Sequence, residues 1–140
     1  MRIREFEDRD EDGVVVLWQR CGLVRPWNDA RKDIARKRKV QGELFLVGEF
    51  DGAIVGSVMG GYEGHRGWVN YLAVDEAHRR GGLGRALMAE IETRLRKLGC
   101  PKLNLQVRSE NGAVLAFYER LGYLQDAVVS LGKRLGSDET

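Results

Sequence analysis

The sequence contains few of the residues that build disulfides, metal sites or backbone breaks. It has two cysteines, two histidines and two prolines in 140 residues. Cys21 and Cys100 are far apart, and together with His65 and His78 they match no zinc-binding spacing. We therefore predict no metal site, and we expect both cysteines to be buried, reduced thiols.

Long hydrophobic runs and a strong excess of charge are also missing. No stretch approaches the ~18 apolar residues of a membrane span, and Met1–Phe6 lacks the apolar core of a signal peptide. The 23 basic and 21 acidic residues leave a formal charge of +2, which gives no global attraction to nucleic acid. We predict a single cytoplasmic domain over residues 1–140, with 136–140 as a frayed tail and with no nucleic-acid or membrane partner.

Hydrophobic periodicity predicts one strand and two helices in the first third of the chain. Arg2–Phe6 alternates as a short strand, and residues 11–21 carry apolar side chains on one helical face. A second, strongly basic helix is predicted from an Asn28 cap to about Val40. Its charge indicates either a solvated face or a surface that attracts an acidic partner.

The middle of the chain predicts three consecutive antiparallel strands. Leu44–Phe50 and Ala53–Met59 are apolar runs joined by Asp51-Gly52, a dipeptide that favours a tight hairpin turn. Glycine-rich residues then lead into a third run, Trp68–Val74.

The last third predicts a βαβ unit followed by a helix and two short strands. Apolar residues recur at helical spacing over 84–99, Lys102–Arg108 alternates as a strand, and Asn111 caps another helix. Two terminal strands are expected at 123–125 and 128–135. The fold class is therefore α/β (α+β), with a mixed, mostly antiparallel sheet of six or seven strands and helices on both faces.

The most informative feature is the junction between the third of those strands and the long helix after it. The apolar run Leu72–Val74 ends, and the basic, glycine-rich segment Arg79–Gly84 leads into the helix. A helix N-terminus offers unpaired N–H groups and the positive end of the helix dipole, which favours phosphate binding. A Walker loop is disfavoured because Arg85-Ala86 follows where Lys-Ser/Thr is required. A dinucleotide fingerprint is disfavoured because its third glycine is missing.

Two motifs identify a family resemblance that covers essentially the whole chain. Arg79–Gly84 fits Arg/Gln-x-x-Gly-x-Gly/Ala, and Asn111–Tyr123 fits Asn-x-x-Ala-x-x-Phe-Tyr-x-x-x-Gly-Phe/Tyr. With the order of elements, these motifs resemble the GNAT superfamily of N-acetyltransferases. Leu23–Asn28 and Val58–Tyr62 look like its small bacterial YpeA-type group. The resemblance implies the GNAT fold, splayed at strands 4 and 5, and acetyl-CoA as cosubstrate without a metal.

The resemblance also implies which residues hold the donor. The loop binds the pyrophosphate of coenzyme A, and free backbone groups of the fourth strand pair with the pantetheine arm. A tight turn is the alternative explanation of the glycines, and Asn111 caps its helix in either case. The predicted coenzyme-binding residues are Leu72, Ala73, Val74, Arg79, Arg80, Gly81, Gly82, Leu83, Gly84, Arg85 and Asn111.

Acetyl transfer also needs an acid for the leaving thiolate and a route for the amine proton. Tyr118 is the predicted general acid, because a phenol stays protonated at neutral pH; packing on the sheet is the alternative role. A Glu serves as base in ribosomal-protein N-terminal acetyltransferases of the family, but the matching position here is Gln106, which cannot titrate. Glu63 is the leading substitute, with His65 behind it.

The resulting function is transfer of acetyl from acetyl-CoA to a primary amine, by direct attack in a ternary complex. The acceptor is a small molecule or a protein N-terminus. The sequence is also compatible with a homodimer. Neither cysteine has a recognisable catalytic setting, which argues against an acyl-cysteine intermediate. The alternative is a non-catalytic acetyl-CoA-binding sensor or regulatory module.

Overall fold

One mixed sheet organises the chain in the computed structural model, which describes residues 1–138. The strands are β1 (Arg2–Glu5), β2 (Phe45–Phe50), β3 (Ala53–Tyr62), β4 (Gly67–Val74) and β5 (Leu103–Leu105). The helices are α1 (Glu11–Arg20), α2 (Ala30–Arg38), α3 (Leu83–Lys97) and α4 (Gly112–Arg120). In the described residues, no helix is long and apolar enough to cross a membrane.

The order of the strands in the sheet follows their order in the chain. β1 to β4 pair antiparallel with their neighbours, whereas β5 lies parallel to β4 after the crossover through α3. The β2–β3 turn has φ values of 49° at Asp51 and 78° at Gly52, as the dipeptide predicted. The mixed, mostly antiparallel sheet is confirmed.

The predicted number of six or seven strands is wrong, because the described residues form five. Residues 123–125 and 128–135 form no strand, and residues 124–136 make no backbone–backbone hydrogen bond that the structure describes. These residues alternate as a strand would, but no neighbouring strand among the described residues pairs with them. The predicted strand over 102–108 ends at Leu105, because the chain diverges from β4 beyond that point.

Helices cover both faces of the sheet, and alternation along β2 sends side chains to each. Phe45 and Val47 pack with α1 and α2, whereas Leu46 packs with α3. All three side chains are fully buried. The sheet is thus the central layer of a three-layer domain.

Small residues on the sheet let α3 approach closely. Gly48 and Gly56 are cross-strand partners, and a Cβ at Gly56 would lie 2.8 Å from Leu83 Cδ2. Further along α3, a Cβ at Gly60 would lie 2.6 Å from Ile91 Cγ1. These glycines fix the height of α3 above the sheet and therefore the position of the loop that leads into it.

Asp138, within the predicted tail 136–140, contacts the start and middle of α2. Asp138 Oδ2 accepts from the backbone N–H of Asp29 at 3.0 Å, and the Asp138 carboxylate is 2.5 Å from the guanidinium of Arg36. Residues 139 and 140 lie outside the described residues. Asp29, and not the predicted Asn28, caps α2, because its side chain accepts from the N–H groups of Arg31 and Lys32.

Candidate active site

A run of unpaired amides lies at the N-terminus of α3. The backbone N–H groups of residues 80–85 have no acceptor in the described chain, and the first helical bond runs from Ala86 N to Gly82 O at 2.9 Å. Arg80 and Gly82 have left-handed φ values of 77° and 80°, a conformation that in a turn groups successive N–H donors into an anion-binding concavity. We call residues 79–85, where the sequence predicts coenzyme binding, the coenzyme loop.

The three arginines of the coenzyme loop differ in what they contact. Arg79 Nε donates to Val74 O at 2.9 Å, so this side chain braces the loop against the end of β4. Arg80 and Arg85 are exposed and have no carboxylate within 4.0 Å among the described residues. They are therefore the loop cations that are free to meet an anion.

Leu83 and Gly84 connect the loop to the core. The Leu83 side chain is buried under the sheet glycines, so only its backbone can serve a ligand. A Cβ at Gly84 would lie 3.2 Å from Phe117 Cζ. The α3 N-terminus and α4 therefore meet at the loop, which brings Tyr118 into the same region.

The sheet opens beside this loop. β4 pairs with β5 only from Gly67 to Val69, and its residues from Asn70 to Val74 have no strand on that side in the described chain. Opposite Val58 the β3–β4 register shifts, and Tyr71 takes a φ of 54°. The stretch Leu72–Val74 thus borders an opening between two diverging strands.

Tyr118 combines a buried ring with an unbonded hydroxyl. The residue is 7% exposed and makes edge contacts with Phe117 and Tyr123. Tyr118 Oη forms no described hydrogen bond. It is also not one of the buried polar side-chain atoms that lack a partner, which among the described residues are Arg4 Nε and His78 Nδ1. The Tyr118 hydroxyl therefore reaches solvent. Burial raises the pKa of Tyr118 to about 12.

The other two predicted site residues serve their local backbone. Asn111 Oδ1 accepts from Val114 N at 3.2 Å and caps α4. Glu63 Oε1 accepts from the N–H groups of His65 and Arg66, both at 2.6 Å, and these bonds lower the pKa of Glu63. Glu63 follows Tyr62, which pairs with the first residue of β4, so it lies at the far end of that strand from Leu72.

Sequence patterns did not predict two contacts on the face of the sheet that α1 and α2 cover. Tyr71 stacks on Trp18, and its hydroxyl donates a hydrogen bond to Asp33 Oδ2 at 2.6 Å. Burial is the larger cause and this hydrogen bond the smaller cause of a raised pKa of Tyr71. Cys21 is half-buried rather than buried, and its Sγ lies 3.5 Å from Val74 O. No local pattern indicates such contacts, because they join residues 38 and 53 positions apart. Residues 1–138 contain no group of three or more His, Cys, Asp or Glu side chains that could hold a metal ion.

A helix terminus with free amides therefore lies beside a sheet that opens at β4, and comparisons with known proteins show which family this chain belongs to. The sequence profile of the acetyltransferase (GNAT) family matches residues 6–123. Acetyltransferase SG1711 of Sodalis glossinidius is 50% identical over 140 residues, which is 99% of each chain.

Two solved structures extend the likeness to three dimensions. The Ard1 protein of Thermoplasma volcanium has a TM-score of 0.81 and 28% identity over 90% of this chain and 84% of its own. The ribosomal-protein-S18-alanine N-acetyltransferase of Escherichia coli has a TM-score of 0.70 and 28% identity, over 86% of this chain and 76% of its own. This chain belongs to the GNAT acetyltransferase family, as the motifs indicated, and is an acetyl-transferring enzyme.

Proposed function

We propose that the protein transfers acetyl from acetyl-CoA to a primary amine in a ternary complex. The observation that carries this proposal is the run of six unpaired amides at residues 80–85, directly beside the open edge of β4. Members of the family use acetyl-CoA, and the residues present fit it. A pyrophosphate needs several N–H donors and nearby cations, and the loop offers both.

In this proposal the donor is held mainly by backbone. The amides of residues 80–85 bind the pyrophosphate, with Arg80 and Arg85 adding charge-assisted contacts. The open edge at Leu72–Val74 pairs with the amide groups of the pantetheine arm, as a strand would. One of its N–H groups stabilises the oxygen on which charge develops, an effect worth about 3 kcal/mol per donor.

Tyr118 is the proposed general acid. Its pKa of about 12 keeps the phenol protonated at neutral pH, so that it can donate to a departing thiolate. The buried ring fixes the direction of the hydroxyl, and that hydroxyl has no described partner to compete for its proton.

The amine proton leaves to water in this proposal. Glu63 is poorly suited as the base because its carboxylate is bonded to two turn amides and lies at the opposite end of β4. Glu63→Gln should therefore keep kcat within about twofold. A loss of 100-fold or more, together with loss of the acidic limb of the pH profile, would return the base role to Glu63.

The test of function is release of free thiol from acetyl-CoA across a panel of primary amines. Tyr118→Phe should lower kcat by about 100-fold or more without changing the Kd for acetyl-CoA. The matched control is Tyr62→Phe, because the Tyr62 hydroxyl donates to Gly64 O in the β3–β4 turn. Unchanged kcat in Tyr118→Phe would remove the acid assignment, and no turnover with any amine would argue against the proposed function.

The proposal places the enzyme in the cytoplasm as a homodimer. The apolar side chains of Leu124, Val128, Val129, Leu131 and Leu135 are 77–94% exposed. Such a patch, beside the unpaired edge of β5, is typical of a surface covered by another copy. Light scattering should give twice the monomer mass, and Leu131→Lys should give the monomer mass; a monomer in both cases would contradict the homodimer.

A further inference from the structure

Two arginines converge on one tryptophan on the face of the sheet that α1 and α2 cover. The guanidinium carbons of Arg108 and Arg134 lie 5.9 and 6.0 Å from the centre of the Trp27 ring. Arg134 Nη1 also donates to Trp27 O at 3.1 Å. We call Trp27, Arg108 and Arg134 the arginine cluster; its members come from three segments that are distant in sequence.

The connection that carries Trp27 runs past the open end of β4. It leaves α1 at Cys21, whose Sγ is 3.5 Å from Val74 O, and α2 then places Asp33 at 2.6 Å from the Tyr71 hydroxyl. Residues 22–29 therefore connect two contacts, with Val74 and Tyr71, that both lie in the stretch of β4 without a partner strand. Trp27 belongs to this connection.

Arg108 lies beside the opening. It follows β5 by three residues, beyond the point where the chain has diverged from β4, and so belongs to the side opposite the unpaired stretch of that strand. Leu103, Leu105 and Val107 pack on the α3 side of the sheet. The Arg108 side chain instead meets Trp27, in the connection between α1 and α2.

The charges of the arginine cluster are not neutralised. In the described chain, neither Arg108 nor Arg134 has a carboxylate within 4.0 Å, whereas the nearby Arg31 and Arg36 are both paired with acids. Two unpaired guanidinium groups on an aromatic ring form a planar, charged surface suited to an anion. The same pair repels a polycationic acceptor.

We infer that the arginine cluster recognises an anionic group on the acceptor, so that the preferred substrate is a small primary amine carrying a carboxylate or phosphate. This inference rests on the proposed function and specifies its acceptor. The anionic group is held at Arg108 and Arg134, which directs the amine of the same molecule toward the open edge at Leu72.

The experiment compares amines with and without an anionic group. Alanine and β-alanine are measured against their amides, and O-phosphoethanolamine against ethanolamine, which distinguishes a carboxylate from a phosphate. The anionic member of at least one pair should have a kcat/KM about tenfold higher in the wild type. The amide also changes the basicity of its amine, so the decisive quantity is how this preference changes between the wild type and the variants.

Arg108→Gln and Arg134→Gln should each reduce this preference by about threefold, mainly through KM, and leave the uncharged member of the pair unchanged. The control is Arg120→Gln, which removes the same charge from the exposed end of α4. An equal loss on both members of a pair, or an equal loss in Arg120→Gln, would overturn the assignment. Acetylation of amines with no preference for the anionic member would also overturn it while leaving the proposed function intact. A failure to acetylate any amine would instead count against the proposed function.

Discussion

The two halves of the opening between β4 and β5 present different chemical groups, backbone amides in one half and side chains in the other. On the side proposed for the donor, the coenzyme loop presents six backbone amides, and the sheet contributes the unpaired edge of β4. On the side proposed for the acceptor, the arginine cluster is made of side chains from the α1–α2 connection, the segment after β5 and the C-terminal tail. Backbone groups are nearly the same in every sequence, whereas side chains are not. Under the proposed function, one fold can therefore keep its donor while its acceptors differ.

The two halves also differ in how they are supported. The donor side rests on the core, since Leu83 is buried against the glycines of β2 and β3. The acceptor side is held by surface contacts such as those of Asp138 with Asp29 and Arg36. We therefore expect changes in the core to disturb donor binding and changes in the tail to disturb the acceptor.

The largest effect is expected on the stability of the fold that supports both halves, through the buried pair of Arg4 and Asp10. Asp10, just before α1, is almost fully buried and accepts two hydrogen bonds from Arg4, at 2.7 and 2.9 Å. Asp10→Asn removes the nearer of the two carboxylates that hydrogen-bond the buried Arg4 guanidinium and leaves only Glu49 at 3.0 Å, so urea unfolding at pH 7 should show a loss of about 3 kcal/mol. The exposed Asp12→Asn is the control and should change stability little.

The hydrogen-bonded pair of Arg4 and Asp10 should also make the stability of the fold depend on pH. Burial opposes ionisation of Asp10, but the bonds from Arg4 and from Glu7 N outweigh it, so the pKa of Asp10 is lowered. A lowered carboxyl pKa stabilises the fold above about pH 4, the ordinary value, and this contribution is lost as pH falls through the folded value. The difference between wild type and Asp10→Asn should therefore shrink below pH 4, and a constant difference down to pH 2 would contradict it.

A smaller effect, directed at the donor half, is expected from Gly56→Ala. The new methyl group would lie 2.8 Å from Leu83 Cδ2 and 3.1 Å from Leu87 Cδ1, so the start of α3 must shift. We expect a loss of about 2 kcal/mol in stability and weaker acetyl-CoA binding by calorimetry. Gly42→Ala is the control because nothing lies within 4 Å of its Cβ. Equal effects in both variants would show that α3 is not held at this height by the glycine.

Gly82→Ala should have a still smaller effect, confined to the coenzyme loop. Nothing lies within 4 Å of a Cβ there, but the φ of 80° costs an alanine about 1 kcal/mol. Acetyl-CoA binding should weaken by roughly five- to tenfold while the arginine-cluster preference stays the same. Gly81→Ala is the matched control, since its φ is not positive and its nearest contact is an ordinary 3.5 Å. A larger loss in the control would contradict the conformational explanation.

The smallest effect is expected at the tail. The backbone N–H of Asp29 and the charge of Arg36 lower the pKa of Asp138, and its contribution is lost as pH falls through that value. Asp138→Asn should raise the acceptor KM by about twofold at pH 7 without changing acetyl-CoA binding. A change in acetyl-CoA binding would mean that the two halves are not supported separately.

Sequence patterns predicted most of the fold and the donor half because those features are local. The Asp51-Gly52 turn, the periodicity of α3 and the glycine-rich entry to that helix each depend on neighbours within a few residues. They did not distinguish Arg79, which braces β4, from Arg80 and Arg85, which are free. The motif names the residue types, but the direction of each side chain depends on distant contacts.

The remaining differences come from interactions across the sheet. The alternating pattern over 102–108 predicted a longer strand than β5, because alternation carries no information on where a neighbour diverges. The sequence leaves open whether Tyr118 packs on the sheet, and the tertiary structure buries its ring in the core cluster. The sequence shows Glu63 as an acidic residue near the end of a strand, but its distance from Leu72 follows from the β3–β4 register.

The sequence by itself determined the family, the order of the elements and the glycine-rich strand–helix junction from Leu72 to Arg85. These depend on local hydrogen bonding, periodicity and backbone freedom, which neighbouring residues set. Only the tertiary structure decided where β4 and β5 part and which arginines remain unpaired, because both depend on groups brought together from distant segments. It also placed Trp27, Arg108 and Arg134 side by side, although the first two are 81 residues apart and the last two 26.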